Sequence, residues 1–105
     1  MKNKIQHAVD SILLVAKERG KLVNVPVEDL RNDMETQLLQ YIGVAFLKQI
    51  QDDADKESLQ NLLSESVALN SLEGFDQFIR QYIKNPDEFL EKTIVEYVQQ
   101  ILENL

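Results

Sequence analysis

Side chains suited to acid–base, nucleophilic or metal chemistry are few in this 105-residue chain. His7 is the single histidine, and no cysteine occurs, so thiolate nucleophiles and cysteine-based zinc sites are excluded. His7 and Asp10 are three residues apart on a predicted helix, which would supply two metal ligands but not a complete site. The nucleophile elbow, the phosphate-binding loop and the Glu-x-x-His pair are all missing from the sequence. We therefore predict no enzyme, no cofactor and no metal site.

Acidic residues form two further patterns. The run QDDADKE at 51–57 alternates its acids like the opening of a calcium-binding loop, but Ser58 and Ser64 occupy the positions where that loop needs glycine and glutamate. We favour the simpler interpretation, in which an aspartate of this run caps the following helix. The second pattern is the pair Glu88 and Glu91, which lie where a helix start and a solvent-exposed face are predicted. Acid–base catalysis needs one carboxylate of a pair in a desolvated cleft, so we do not predict a catalytic pair here.

The composition predicts one acidic, helix-forming domain with an uneven charge distribution. The chain has only three glycines and two prolines, and its formal net charge is −7. Residues 1–25 hold five basic and two acidic residues, a net of +3, whereas residues 26–105 hold six basic and sixteen acidic ones, a net of −10. This asymmetry fits either a basic docking arm at 1–25 or a first helix that packs on the acidic body, and we favour the second. The acidic body opposes nucleic-acid binding, because phosphate contacts supply most of that affinity.

Apolar runs near the start of the chain are short. Ile12–Ala16 spans five residues, whereas a secretion signal needs an apolar region of roughly 7–15 residues and a membrane span needs roughly 20. We predict a cytoplasmic protein without a membrane partner.

The longest apolar stretch, LLQYIGVAFLKQI at 38–50, organises the predicted fold. Only three of its residues are strongly polar, so apolar side chains spread well beyond the roughly 100° stripe of a helix with one wet face. We predict an all-α, single-domain bundle of about five helices around a central helix at 27–51. A short helix at 27–32 that turns into the main one is the alternative. Gly43 inside this helix costs about 1 kcal/mol relative to alanine. A close helix crossing would explain it, and the alternative is that the helix tolerates the glycine without a structural purpose.

Periodic apolar residues predict the other four helices. These are expected at 3–19, 57–69, 72–84 and 86–104. The clearest boundary is Asn85-Pro86-Asp87-Glu88, which has a favoured N-cap residue, a proline at the first helical position and acids in the first turn.

The order of segments over residues 26–103 carries a family resemblance. A start with proline and acids precedes LLQYIGVAFLKQI, and SLQNLLSE, FDQFIRQYI and NPDEFLEKTIVEYVQQIL follow. This order resembles a family of short bacterial proteins, a domain of unknown function known mostly from uncultivated small-genome bacteria. The resemblance implies a compact helical fold and no particular activity, and residues 1–25 lie outside it.

With enzymes disfavoured, protein recognition is the predicted function. Apolar residues cover most of the central helix, and we expect neighbouring helices to leave part of it exposed as a patch. We predict that Val44 and Leu47 belong to this patch, which would bind a protein partner or form a homodimer. Residues 1–25 would contribute to docking only in the alternative in which they form an arm. The alternative is an acidic inhibitor whose carboxylates imitate nucleic acid and bind a basic partner.

Overall fold

Five α-helices make up the computed structural model, which describes the backbone of residues 2–69 and 73–105 and the side chains of residues 2–65 and 73–105. The helices are α1 (Lys2–Glu18), α2 (Val27–Leu47), α3 (Asp53–Leu69), α4 (Glu73–Tyr82) and α5 (Pro86–Glu103). No strand occurs in the described part of the chain. The predicted all-α bundle is confirmed.

The helix α2 is the element on which the others assemble. It packs with α1 and α5 into a three-helix bundle, and it also carries α3, against which α4 packs. The principal extents are 45 × 25 × 20 Å, and the radius of gyration of 14.6 Å exceeds the roughly 13 Å of a compact domain of this length. The molecule is therefore elongated, with the α3–α4 hairpin attached beside the three-helix bundle.

One continuous core joins the five helices. Phe46 of α2 lies where three of them meet, and its ring is fully buried. Its ring centroid lies 5.9 Å from that of Phe78, 6.3 Å from that of Tyr82 and 6.1 Å from that of Phe89, in tilted or edge-on geometries. Such aromatic pairs stabilise a fold by about 0.5–1.5 kcal/mol beyond their buried area. Phe46 therefore ties α4 and α5 to α2.

Of the two explanations of Gly43, the close crossing is the one that the structure shows, and it lies between α2 and α3. A Cβ atom at Gly43 would lie only 2.7 Å from Cδ2 of Leu63, which is shorter than any ordinary carbon–carbon contact. A larger residue at this position would force Leu63 to move. The glycine thus lets α3 approach the backbone of α2.

The connection between α2 and α3 differs from the prediction. The helix α2 is continuous from Val27 but ends at Leu47 rather than at residue 51. Asp52 then accepts hydrogen bonds from the backbone N–H groups of Ala54 (2.8 Å) and Asp55 (3.3 Å), so α3 begins at Asp53, four residues earlier than predicted. The predicted capping aspartate is confirmed, but most of the acidic run forms the first turn of α3 instead of a turn before it.

The other boundaries are closer to the prediction. Gly20 takes a φ of +71° after α1, as expected for a helix stop, and α5 begins at Pro86. Asn85 occupies the N-cap position, but its side chain makes no capping hydrogen bond. The helix α4 ends at Tyr82 rather than at residue 84. Its predicted start at residues 71–72 lies outside the described residues.

Candidate functional site

The two residues predicted to bind a partner lie in different surroundings on α2. Val44 is 52% exposed, although Ile42, Gly43 and Phe46 beside it are buried. Leu47 is half-buried and packs against the core. Val44 is therefore free to meet another molecule, whereas Leu47 presents only part of its surface.

Val44 lines a groove between α2 and α5 with a volume of about 280 Å³. Tyr41 and Phe89 supply aromatic surface to this groove. Lys48, Lys92 and Glu96 supply its charged groups. We call it the Val44 groove. It combines apolar surface with a few charged groups, as binding sites for protein side chains do.

Hydrogen bonds and ring contacts hold the walls of the Val44 groove in place. The ring of Tyr41 lies 5.6 Å from that of Tyr97, measured between centroids, and its hydroxyl accepts a hydrogen bond of 3.2 Å from Nε2 of Gln100. Burial raises the pKa of Tyr97. On α5 the Thr93 hydroxyl, which is buried, donates to the carbonyl oxygen of Phe89 at 2.8 Å. The groove is therefore formed by ordered helices before any partner arrives.

The two lysines of the groove come from distant parts of the chain. Neither Lys48 nor Lys92 forms an ion pair with any residue that the structure describes, whereas Arg31 pairs with Asp10, and Arg80 pairs with two aspartates. Lys48 is the C-cap of α2, where the helix dipole favours a cation. Lys92 lies inside α5 and has no such role.

A larger groove of about 600 Å³ lies at the other end of α2, between α1, the 19–26 linker and the first turns of α2. Leu14 is 59% exposed there and Val23 73%, and the ion pair between Asp10 and Arg31 crosses from α1 to α2. Sequence reasoning missed this surface. The available signal was that Leu14 lies off the apolar stripe of α1 and that the linker KLVNVP is itself apolar.

The structure does not assemble His7 and Asp10 into a site. His7 is exposed and lines a groove of about 360 Å³ between α1 and α5, together with Val95, while Asp10 pairs with Arg31. Among the described residues no group of three or more histidine, cysteine, aspartate or glutamate side chains is placed to hold a metal ion.

Several carboxylates make contacts between helices. Arg80 of α4 bonds Asp76 on its own helix and Asp87 on α5, both at 3.1 Å. Its hydrogen bond and its charge lower the pKa of the Asp87 carboxyl, and the charge of Lys4 lowers it further. The Asp55 carboxylate of α3 acts in the opposite sense on Tyr82. Its proximity, with burial and the charge of Asp52, raises the pKa of the Tyr82 phenol.

Comparison with protein-family models, with curated proteins and with solved structures finds no match to this chain. The resemblance of residues 26–103 to a family of short bacterial proteins stays a prediction. Within the described ranges, none of the helices has the length and apolarity that a membrane crossing requires.

Proposed function

We propose that this protein is a non-enzymatic, protein-binding helical domain and that the Val44 groove holds an apolar side chain of its partner. The observation that carries the proposal is the exposure of Val44 in the last turn of the core helix α2. Burying a valine is worth about 1.5–3 kcal/mol, and the fold gains only part of that here. The remainder is available to a partner that covers Val44.

The shape of the α2–α5 pair supports this proposal. Two packed helices present a groove on each side, and α1 fills one of them by packing on both α2 and α5. The Val44 groove is lined by α2 and α5 residues, with none from α1. A partner segment would therefore add a layer to the bundle, in a cytoplasmic setting and without nucleic acid or membrane. The partner is another protein or a second copy.

Photo-crosslinking tests the proposal in the cells from which the protein comes. A photoreactive amino acid is placed at position 44 and, in a matched control, at position 95. Val95 is also a valine within a helix and is 47% exposed, but it lines the α1–α5 groove. We expect one defined adduct from position 44 and none of the same mass from position 95.

Binding measurements with the captured partner complete the test. Val44→Ser should weaken binding by about tenfold, the loss of roughly 1.4 kcal/mol of apolar contact, whereas Val95→Ser should not. Equal effects of the two substitutions would exclude the Val44 groove. If the partner is a second copy, light scattering should show a dimer that Val44→Ser dissociates.

The acidic inhibitor that imitates nucleic acid remains the alternative function, and the same partner distinguishes it. Its binding surface would consist of exposed carboxylates such as Asp53 and Glu57 in the first turns of α3. In that case Asp53→Asn with Glu57→Gln would abolish binding of a basic partner, and Val44→Ser would leave it unchanged.

A further inference from the structure

The unpaired lysines of the Val44 groove indicate what kind of segment it binds. Residues 26–105 contain only six basic side chains among sixteen acidic ones, yet two of the six line this one groove. Each lysine lacks an ion-pair partner in the part of the chain that the structure describes. The groove thus carries two cations and one anion, Glu96, on a protein that is acidic as a whole.

The positive and negative side chains of the Val44 groove lie at different positions along its length. Phe46 of α2 faces Phe89 near the start of α5, and Tyr41 faces Tyr97 further along, so the two helices run antiparallel. Lys48 and Lys92 consequently lie toward the C-terminal end of α2. Glu96, one turn beyond Lys92 on α5, lies toward the other end of the groove, near Tyr41.

The geometry points to an amphipathic helix of another protein, with carboxylates beside its apolar residues, as the occupant of the Val44 groove. This inference rests on the proposed function and specifies the partner of that site. An apolar side chain would cover Val44 and the Phe89 ring, and carboxylates would pair with Lys48 and Lys92. A helix suits the space because α1 already packs as a helix in the other groove of the α2–α5 pair. A second copy is less suitable, since each copy brings a net charge of −7.

Synthetic peptides test this preference directly. Three stapled peptides of about 16 residues, longer than the roughly 12–15 residues at which isolated helices become marginal, share one leucine stripe. Their flanking positions are all Glu, all Gln or all Lys. Fluorescence anisotropy with the full chain should show the Glu peptide binding most tightly and the Lys peptide most weakly. High salt should weaken the Glu peptide and leave the uncharged Gln peptide unchanged, because screening acts on ion pairs.

Substitution of single lysines shows which of them produce the preference for the Glu peptide. Lys92→Gln and Lys48→Gln should each weaken the Glu peptide by about two- to fivefold, as expected for a partly exposed ion pair, and leave the Gln peptide unchanged. Lys84→Gln is the matched control, because Lys84 is exposed but lies outside the groove. It should change neither affinity.

The outcomes separate this inference from the proposed function. Suppose that the Lys peptide binds as tightly as the Glu peptide and that Val44→Ser weakens the binding of both. The preference for acidic segments is then wrong, and the apolar docking site stands. If no peptide binds, or if Val44→Ser has no effect on binding, the docking site itself is wrong. If the protein self-associates and Lys92→Gln abolishes that association, the occupant of the groove is a second copy of this chain and not a helix of another protein.

Discussion

Gly43 and Leu63 set the distance between α2 and α3, and their coupling can be measured. A methyl group at Gly43 would lie 2.7 Å from Leu63 Cδ2. We expect Gly43→Ala to be less favourable in the wild-type chain than in a Leu63→Ala background by about 1 kcal/mol or more, because truncation of Leu63 removes the overlap. In that background the helix propensity of alanine should dominate and stabilise α2. Urea unfolding of the four chains measures the difference.

Gly74 provides the control for this cycle. A Cβ atom at Gly74 would meet Cδ2 of Leu62 at 3.4 Å, which is nearly an ordinary contact. Gly74→Ala should therefore have the same effect whether residue 63 is leucine or alanine. Additivity of Gly43→Ala and Leu63→Ala would show that the two helices separate freely at this point.

Ile42 and Gln40 lie two residues apart in α2 on opposite sides of the boundary between core and solvent. Ile42 is fully buried, and Gln40 is exposed. Ile42→Asp should unfold the protein, because an unpaired buried carboxylate costs several kcal/mol, whereas Gln40→Asp should be mild. Thermal unfolding followed by circular dichroism distinguishes them, at ~4–8 °C per kcal/mol for a chain of this size. Melting temperatures that agree within a degree or two would contradict the placement of Ile42 in the core.

At the scale of elements, Arg80 joins α4 to α5 through an ion pair that depends on pH. The lowered pKa of Asp87 means that its ionised form is favoured in the folded state. The contribution is therefore present above the usual carboxyl pKa of about 4 and is lost as the pH falls through the lower pKa of the folded state.

Asp87→Asn should consequently destabilise the protein at pH 7 by a small amount, since the pair is exposed. The wild type and the variant should approach equal stability in the acid range below about pH 4. Urea unfolding at a series of pH values gives the comparison. A constant difference between the two proteins at all pH values would rule out the ion pair as its source.

The helix α1 contributes apolar side chains to the core and basic side chains to its contact with α5. Its buried residues are Ile5, Ala8, Val9, Ile12, Leu13 and Ala16. Lys4 approaches Asp87 to 3.7 Å, and Arg19 donates a hydrogen bond of 3.3 Å to the carbonyl oxygen of Leu102 near the end of α5. This arrangement is that of a basic helix packed on the acidic body.

Removal of residues 1–20 should therefore unfold the remaining chain, because α2 and α5 would expose the surface that α1 covers. Circular dichroism and thermal melting of the truncated protein measure the effect. A truncated chain with cooperative melting and retained helicity would instead favour the alternative, a docking arm at residues 1–25.

At the scale of the whole molecule, the packing predicts two levels of stability. The helices α1, α2 and α5 form a closed bundle in which each packs on the other two. The α3–α4 hairpin lies outside this bundle and packs on it mainly through the contact between α3 and α2. Backbone amides of α1, α2 and α5 should therefore exchange with deuterium more slowly than those of α3, since opening the hairpin disrupts fewer contacts. Hydrogen exchange read by mass spectrometry measures this order. Equal protection of α3 and α5 would indicate a single cooperative unit.

The sequence by itself determined the helices and most of their inward faces, because helical hydrogen bonding and apolar spacing are local. The stripe of α1 and the start of α5 at Pro86 were both predictable in this way. The glycine at position 43 allowed a close helix crossing but did not decide it. The end of α2 was less predictable. Several aspartates compete for the cap in residues 51–57, and the choice of Asp52 depends on how the chain turns to bury Ile50.

Only the tertiary structure decided which part of α2 remains exposed. Val44 and Leu47 look alike in the sequence, yet one faces the groove and the other packs on the core, because their surroundings depend on where α3, α4 and α5 lie. The presence of Lys48 and Lys92 in one groove has the same origin. One follows the end of α2 and the other lies in α5, and no local pattern encodes a groove that exists only after α5 has packed against α2.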